Sequence, residues 1–201
     1  MILRSAPPSP FGRKVKIAAA ILGLSDRMQI VAADTNDTTD ELRSQNPLGK
    51  IPTLVLDDGQ TLFDSRVILE YLDHLSGGGR IIPRDPDMRF AALRLQALCD
   101  GIMDASILRI YEARYRPEPI RHQPWLDYQA EKVTRALAVL ESEPQALDPT
   151  PHVGQIALAC ALGYQDLRFK GEWRAAHPAL AGWLGRFDAR IPAFAATRVE
   201  P

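Results

Sequence analysis

Segment 46–52, which reads Asn-Pro-Leu-Gly-Lys-Ile-Pro, constrains the fold more than any other part of the chain. Its last proline stands just before residues 53–56, a short run with strand character. An X–Pro bond adopts the cis form at little cost, and a cis Pro52 would turn the backbone N–H and C=O of Ile51 toward solvent. We therefore expect an open strand edge at Ile51 that can pair with a short extended peptide.

The pair Asp64-Ser65 follows twelve residues after that proline and precedes a run with helical spacing, residues 66–75. Serine is a residue type that commonly caps helices, and the free N–H groups of a helix start attract carboxylates. We therefore predict that Ser65 caps this helix and that the helix start can hold an anion.

The first half of the chain alternates strand and helix patterns. After a short apolar start, Ser9-Pro10 predicts a helix start, and apolar residues recur at helical spacing until Gly23 offers a left-handed stop. This order of elements resembles a thioredoxin-like domain, which we place at residues 1–76. Further strands are predicted at 28–33, 53–56 and 62–63, with a hairpin turn at 57–59.

The second half of the chain carries only helical patterns. Interruptions by glycine and proline predict a linker at residues 77–85, followed by an all-helical domain at 86–201. Asp85-Pro86 opens the first long helix of this domain, on which Met88 and Ala92 are expected to face the core. Later helices are expected after Pro124, around 156–162 and over 180–191.

The composition excludes several classes of partner and site. With a formal net charge of −1 and no run of basic residues, the chain has no surface suited to a nucleic acid or a membrane. No stretch approaches the roughly 20 apolar residues that span a bilayer, and the start does not resemble a signal peptide, so we expect a cytoplasmic protein. Cys99 and Cys160 lie in apolar helical patterns, which favours buried reduced thiols over a disulfide or a metal site.

The ordered motifs at 46–52 and 64–65 resemble those of glutathione transferases, whose first half carries N-P-x-G-K-[VI]-P and then [ED]-S at this spacing. The resemblance extends over nearly the whole chain. It implies a thioredoxin-like N-terminal domain, a helical-bundle C-terminal domain, glutathione as co-substrate without a metal, and a homodimer with a cleft between the two domains.

The resemblance also implies which residues contact glutathione. The backbone of Ile51 would hold the cysteinyl part, and Lys50 would lie near the glycyl end or be a solvated loop charge. Asp64 and Ser65 would take the γ-glutamyl group. The expected glutathione-binding residues are Phe11, Lys50, Ile51, Pro52, Asp64 and Ser65.

Ser9 is the candidate catalytic residue, because the family that segment 9–15 resembles places its catalytic Ser or Cys at this position. Its hydroxyl would donate to the glutathione sulfur, since a thiol with a pKa near 8.5 needs such support to ionise at neutral pH. Two alternatives stay open: Ser9 only caps the helix, or Ser5 or a backbone N–H near Phe11 stabilises the thiolate. Gly12 stands where a Cys-x-x-Cys motif has its second cysteine, so dithiol exchange is excluded and a serine-type enzyme is expected.

The sequence describes the second-substrate pocket only faintly. Ile107, Tyr111 and Tyr115 recur at helical spacing and either line an apolar pocket or form ordinary core. Four arginines, at positions 109, 114, 116 and 121, either attract an acidic substrate or form a solvated face. His152 stands where the family has the first residue of a [ST]-x-x-D capping box, which predicts a poorer cap and a structural histidine.

Together these features predict an enzyme that joins the glutathione thiolate to a small hydrophobic electrophile. Two alternatives stay open. The same thiolate would also serve a glutathione-dependent isomerase or a reductive dehalogenase. The same scaffold also occurs in stringent-starvation-type regulatory proteins, which bind without catalysis.

Overall fold

Four short strands form one mixed sheet in the first half of the chain. The computed structural model describes residues 1–143 and 146–199. β1 pairs in parallel with β2 and antiparallel with β3, and β3 pairs antiparallel with β4, which confirms the thioredoxin-like prediction. The strands are β1 (Ile2–Ser5), β2 (Gln29–Ala32), β3 (Thr53–Val55) and β4 (Thr61–Phe63), in the spatial order β2-β1-β3-β4.

Helices cover the sheet and build the rest of the described chain. The first of them, α1, makes the crossover that the parallel pair β1 and β2 requires, and it packs on both α3 and α6. It therefore joins the sheet to the helical half. The helices are α1 (Pro10–Leu22), α2 (Leu42–Gln45), α3 (Ser65–Leu75), α4 (Pro86–Tyr115), α5 (Gln123–Ser142), α6 (Val153–Phe169), α7 (Trp173–Ala176), α8 (Pro178–Arg190) and α9 (Pro192–Ala196).

Helix α1 begins and ends where its sequence predicts. The Gly12 N–H donates to Ser9 Oγ at 3.1 Å, so Ser9 is the N-cap and Pro10 is the first helical residue. At the other end, Gly23 has a φ of 74°, and its N–H donates to the Ala20 carbonyl at 3.1 Å. Side chains are disfavoured at that angle, so glycine suits this stop.

Helix α3 begins one residue earlier than predicted, and its cap is Asp64. The Arg66 N–H donates to Asp64 Oδ1 at 2.9 Å, while Ser65 is the first helical residue and is buried. The prediction that Ser65 caps this helix is therefore wrong. The reason is that the carboxylate one residue earlier already reaches the N–H of the second helical residue.

The glycine-rich segment after α3 is folded back onto that helix by one buried carboxylate. Asp73 accepts hydrogen bonds from the N–H groups of Gly79, Arg80 and Ile81, at 2.7, 2.9 and 2.8 Å. Ile81 is fully buried, and its carbonyl accepts from the Val153 N–H at 2.8 Å, which fastens the segment to α6. The segment predicted as a linker is thus packed between the two halves.

The domain boundaries 1–76, 77–85 and 86–201 remain a prediction. The last of these ranges includes residues 144, 145, 200 and 201, which lie outside the described residues.

The helical half is centred on α6, whose residues from Val153 to Gln165 are all buried. A Cβ on Gly154 would lie 2.7 Å from the Ala92 carbonyl oxygen, so glycine allows α6 to approach α4 closely. Met88 was expected to share the buried face of α4, but it is 61% exposed. The prediction for Met88 is wrong because the close contact with α6 is at Ala92, one turn further along.

Both cysteines are buried free thiols, as predicted. Burial raises the pKa of the Cys99 thiol far above its ordinary value and that of Cys160 to about 11, so neither is a ready nucleophile. Across residues 1–143 and 146–199, no helix has the length and apolar character needed to cross a membrane.

His152 caps α6 more completely than its residue type suggests. Its Nδ1 accepts from the N–H groups of Gly154 and Gln155, at 3.1 and 3.4 Å, and Gln155 Oε1 accepts from the His152 N–H at 3.3 Å. This is a complete capping box in which Gln155 reaches back as expected, and the structural assignment of His152 agrees with these bonds. The lower strength expected of a histidine cap stays a prediction. The cap needs a neutral imidazole, because a protonated Nδ1 cannot accept.

Stability should therefore decrease in mild acid. Burial lowers the pKa of His152 below its ordinary 6.5, although Asp148 acts in the opposite direction. The unfolded chain takes up the proton at a higher pH than the folded chain does. The stabilisation by the cap is therefore complete above pH 6.5 and is lost as the pH falls through the lowered pKa of folded His152. Urea unfolding at about pH 7.5 and about pH 5.5 should show a loss of up to about 1 kcal/mol, the typical value of a cap.

His152→Ser keeps a capping oxygen that does not titrate, so the acid-induced loss should shrink in this variant. His74→Gln, at an exposed position on α3, is the matched control and should retain the wild-type pH dependence. Identical pH dependence in wild type and His152→Ser would contradict the assignment.

Candidate functional site

A cleft between the sheet and α4 consists of two adjoining cavities. The strand-side cavity, about 230 Å³, lies beside β4 and the start of α3, and the helix-side cavity, about 430 Å³, lies between the start of α1 and the second half of α4. The two cavities adjoin, because they share lining residues. Phe11, Lys50, Ile51 and Asp104 line both cavities. The strand-side cavity is also lined by Pro52, Asp64, Ser65, Arg66 and Asp100, and the helix-side cavity by Ser9, Ile107, Tyr111, Arg114, Tyr115, Tyr164 and Arg168.

The turn before β3 is held in shape by Asn46, which is buried. Its Nδ2 donates to the Lys50 carbonyl at 2.9 Å, its Oδ1 accepts from the Leu48 N–H at 3.0 Å, and Thr53 Oγ1 donates to the same Lys50 carbonyl at 3.0 Å. The Ile51–Pro52 peptide bond is cis, as predicted. These bonds fix the backbone that leads into Ile51, which is half-buried at the junction of the two cavities.

Asp64 stands at the mouth of the strand-side cavity with a φ of 64°, an angle that is uncommon for residues with a side chain. Such positions tend to occur at functional sites. Partial burial works to raise the pKa of Asp64, but the Arg66 side chain and N–H, which donate to its carboxylate, outweigh burial and hold the pKa below its ordinary value. Asp64 therefore presents a charged carboxylate at neutral pH.

Beneath this cavity lies a buried ion pair that the sequence did not reveal. Lys14 Nζ, from α1, donates to Asp100 Oδ1, from α4, at 2.6 Å, and both side chains are buried. Asp100 Oδ2 lies 3.7 Å from Arg66 Nε and has no hydrogen-bond partner among the described residues. Burial raises the pKa of Asp100 despite the adjacent Lys14. The free oxygen is a buried acceptor on a residue that lines the strand-side cavity.

Asp104 lies one turn further along α4, where the two cavities meet. Burial raises the pKa of Asp104, the neighbouring Asp100 raises it further, and Lys50 and Arg66 act to lower it. This part of the cleft therefore contains acids and bases in close proximity. No group of three or more His, Cys, Asp or Glu side chains in residues 1–143 and 146–199 could hold a metal ion.

Ser9 lines the helix-side cavity, and its hydroxyl caps α1. The Gly12 N–H uses one lone pair of Oγ, so the hydroxyl hydrogen remains available to donate. Ser5 is buried and lines neither cavity. A Cβ at position 12 would lie 2.0 Å from Ser5 Oγ and 3.4 Å from Ser9 Oγ, so a larger residue there would force the Ser5 hydroxyl to move.

Ile107, Tyr111 and Tyr115 form the opposite wall of the helix-side cavity. The two tyrosine rings meet edge to face with centroids 5.3 Å apart, and they are 37% and 55% exposed. The Tyr115 hydroxyl donates to Asn36 Oδ1, in the loop after β2, at 2.7 Å. The structure therefore places this stripe on the cavity wall and not in the core, and it links α4 to the sheet half across the cleft.

Of the four arginines of segment 109–121, only Arg114 lines the cleft. Arg109 lies 4.2 Å over the Phe169 ring, and Arg116 pairs with Glu112 at 3.4 Å. Arg121 donates to backbone carbonyls.

The sequence did not single out Tyr164 and Arg168 of α6, which also line the cavity. They are four residues apart, just past the wholly apolar run 156–162. The polarity change at the end of that run was the available signal.

Two family models match the chain. The model of the N-terminal domain of glutathione S-transferases matches residues 8–75, and that of the C-terminal domain matches residues 106–186. The chain belongs to the glutathione transferase family. Membership supports a glutathione transferase-type enzyme and agrees with the observed small sheet followed by a helical half.

Several proteins resemble this glutathione transferase family member. An uncharacterized GST-like protein, YibF of Escherichia coli, is 34% identical over 163 residues, which cover 80% of this chain and 79% of that protein. A probable maleylacetoacetate isomerase 1 of Drosophila melanogaster is 34% identical over 107 residues, 50% of this chain and 43% of that protein.

A solved glutathione transferase family member from Pseudomonas fluorescens Pf-5 contains bound glutathione. It has a TM-score of 0.90 and 44% identity, with 100% of this chain and 98% of that chain covered. A second structure of a family member from that organism contains bound S-(propanoic acid)-glutathione, with a TM-score of 0.87, 43% identity and 100% of both chains covered.

The Lys14–Asp100 pair should contribute strongly to stability, because removal of one partner leaves an uncompensated buried charge. Lys14→Met or Asp100→Leu alone should lower the free energy of unfolding by about 3–5 kcal/mol. The double variant should lose much less than the sum of the two, as measured by urea unfolding.

Arg135→Met is the control, since it breaks an exposed 3.3 Å pair with Glu131 and should change stability by no more than about 0.5 kcal/mol. Additive losses in the double variant would show that the two residues do not act as a pair.

Proposed function

We propose that this protein binds glutathione in the strand-side cavity and joins its thiolate to a small electrophile held in the helix-side cavity. The observation that carries the proposal is that Ile51, Ser9 and Tyr111 line the helix-side cavity and that Ile51 also lines the adjoining strand-side cavity. A tripeptide paired along the backbone at Ile51 would have its cysteinyl sulfur near the Ser9 hydroxyl and facing the wall that contains Tyr111.

Each part of glutathione finds a group of suitable chemistry in this cavity. The cysteinyl backbone would pair with Ile51 beside Pro52 and Phe11, and the exposed Lys50 would attract the glycyl carboxylate. The Ser65 hydroxyl and the N–H groups at the start of α3 would bind the γ-glutamyl carboxylate. The charged Asp64 would receive the ammonium group, and the bound glutathione in the Pseudomonas fluorescens relative supports this ligand.

Ser9 would stabilise the thiolate by donating a hydrogen bond to the sulfur. A hydrogen bond to a charged group contributes about 1.5–3 kcal/mol, and one pKa unit corresponds to about 1.36 kcal/mol. The N-terminus of α1 adds a favourable partial charge, so the thiol pKa would fall by about two units. This makes the bound thiol largely ionised near neutral pH.

The thiolate would then attack an electrophilic carbon that lies against the apolar wall of the second cavity. A C–S bond forms, and a halide leaves with the electron pair of its bond to carbon. With an activated alkene, the electron pair moves to the neighbouring carbon, which takes a proton from water. Ser9 is unchanged by either reaction, and a small hydrophobic electrophile suits Ile107 and Tyr111.

Glutathione-dependent isomerisation is a second candidate, and the likeness to a probable maleylacetoacetate isomerase favours it. An isomerase releases its glutathione after each turnover, whereas conjugation consumes one glutathione per product. Counting free thiol during turnover of a panel that includes an aryl halide and a maleylated acid separates the two reactions.

Calorimetric titration of the intact chain with glutathione at millimolar concentration tests the whole proposal. We expect saturable heat of binding, and its absence would remove both the transferase and the isomerase.

Replacement of Ser9 should weaken the thiolate. In Ser9→Ala, the pKa of the enzyme-bound glutathione thiol should rise by about one unit or more, because one charge-assisted hydrogen bond is lost. The ultraviolet absorbance of the bound thiolate, followed against pH, measures this value. Ser5→Ala is the matched serine control and should keep the wild-type thiol pKa.

Ser9→Asp separates thiolate stabilisation from helix capping. A carboxylate is a good N-cap, but it cannot donate to the sulfur and it repels the thiolate. Stability should therefore stay near that of wild type while the thiol pKa rises. A wild-type thiol pKa in Ser9→Ala would assign thiolate stabilisation to Ser5 or to a backbone N–H near Phe11.

We also expect a homodimer, because apolar side chains stand exposed where α3 meets the start of α4. Val67, Met88 and Phe90 are 47%, 61% and 70% exposed, and Arg89 pairs with Glu70 between them at 2.7 Å. A second copy would bury this surface.

Phe90→Asp should shift sedimentation toward the monomer, whereas Ile120→Asp, at an equally exposed position elsewhere, should not. A wild-type monomer at high concentration would contradict the expectation.

A further inference from the structure

Two arginines without an ion pair line the helix-side cavity. Arg114 lies in the last turn of α4 and Arg168 in the last turn of α6. Neither contacts an Asp or Glu carboxylate in the part of the chain that the structure describes, whereas Arg66, Arg116 and Arg174 do. Unpaired guanidinium groups in a cavity attract an anionic ligand, because they offer five donors in a rigid fork.

Arg168 is the more confined of the two arginines. Its Nε is buried and has no hydrogen-bond partner among the described residues. The side chain as a whole lines the cavity, and a guanidinium has further N–H donors on its terminal nitrogens. The guanidinium carbon lies 5.7 Å from the centre of the Tyr164 ring, within the range of a cation–π contact.

Each guanidinium group lies near a tyrosine ring of the same cavity. Arg114 lies 5.5 Å over the Tyr111 ring, and Tyr164 has a side-chain hydrogen bond with Arg168 and interacts electrostatically with Arg114 and Tyr111. Burial raises the pKa of Tyr164, so its hydroxyl keeps its proton and can donate. These four side chains form a group of donors that we call the arginine–tyrosine cluster.

Two acids, Asp34 and Asp104, also line the helix-side cavity. Asp104 is near enough to Lys50 and Arg66 for their charges to act on it, and Asp34 Oδ1 accepts from the Asn36 N–H at 2.8 Å. Ile107 and Ile110 supply an apolar surface in the same cavity. The cavity therefore combines a serine hydroxyl, an apolar surface and an anion-binding group.

We propose that the electrophile carries a carboxylate and that Arg114 and Arg168, with Tyr164, bind this carboxylate. The proposal rests on the proposed function and names the substrate class of the same site. The apolar part of the substrate, with its reactive carbon, lies against Ile107, and the carboxylate selects among electrophiles of similar reactivity. Segment 109–121 thus contributes one arginine to binding, and α6 contributes the other.

The decisive experiment compares two stable product analogues of nearly the same shape, one with a charged carboxylate and one with a neutral amide. S-(4-carboxybenzyl)glutathione and S-(4-carbamoylbenzyl)glutathione have the same glutathione part and nearly the same shape, and calorimetry gives a Kd for each with the intact chain. We expect the carboxylate to bind at least about tenfold more tightly, which corresponds to about 1.4 kcal/mol. No turnover is needed for this comparison.

Variants assign the preference to its residues. Arg168→Met and Arg114→Met should each reduce the preference for the carboxylate to less than about threefold, and Arg168→Lys should retain part of it. Arg94→Met, at an exposed position on α4 that lines neither cavity, should keep the full preference. Binding of unsubstituted glutathione to each variant shows that its glutathione site is folded.

Each outcome decides a different question. Equal Kd values for the two analogues in wild type overturn the proposal and leave glutathione conjugation intact. A preference that survives in both methionine variants also overturns it, since another cation then binds the carboxylate. Failure of glutathione itself to bind overturns the proposed function, and the substrate class with it.

Discussion

The buried ion pair between Lys14 and Asp100 connects the parts of the molecule that the site needs. Lys14 belongs to the helix that caps itself with Ser9, and Asp100 belongs to the long helix that carries Ile107, Tyr111 and Arg114. Two charges removed from water stabilise a protein only while they remain paired. The positions of the two helices are therefore coupled, and so is the distance between the Ser9 hydroxyl and the wall that faces it. Asp100 in turn lies beside Arg66, which extends the same coupling to Asp64.

Ser9 illustrates how one side chain can serve structure and chemistry at once. The two interpretations of Ser9, as a helix cap and as a donor to a thiolate, are compatible because a hydroxyl accepts and donates through different parts of the atom. The Gly12 N–H fixes the oxygen, which limits where the hydrogen can point. A group held in this way loses little freedom when a ligand binds, and preorganised donors are the effective ones in catalysis.

Most of the fold could be predicted because its signals are local. Pro10 and Pro86 mark helix starts, Gly23 marks a stop, and the hairpin turn at 57–59 separates two short strands. The error at Ser65 is also local, since two adjacent residues of capping type cannot be ranked without the backbone angle of Asp64. The cap at His152 depends on which ring nitrogen faces the helix, and the sequence does not record that.

The candidate site was predictable where a motif or a helical spacing marks its residues, as the spacing of Ile107, Tyr111 and Tyr115 does. Ile51 and Asp64 belong to such motifs, and the structure brings them to one cavity. Lys14 and Asp100 are 86 residues apart, and their pairing follows from helix packing that no local pattern records. Arg168 looks like an ordinary charge at a helix end until α6 is packed against α4.

The hydrogen bond from Tyr115 to Asn36 joins α4 to the loop after β2, and both residues line the helix-side cavity. It is a single bond between two exposed groups, and such a bond contributes about 0.5–1.5 kcal/mol to stability. Any movement that separates α4 from this loop must break the bond. The free energy that the bond adds against such a movement is therefore small.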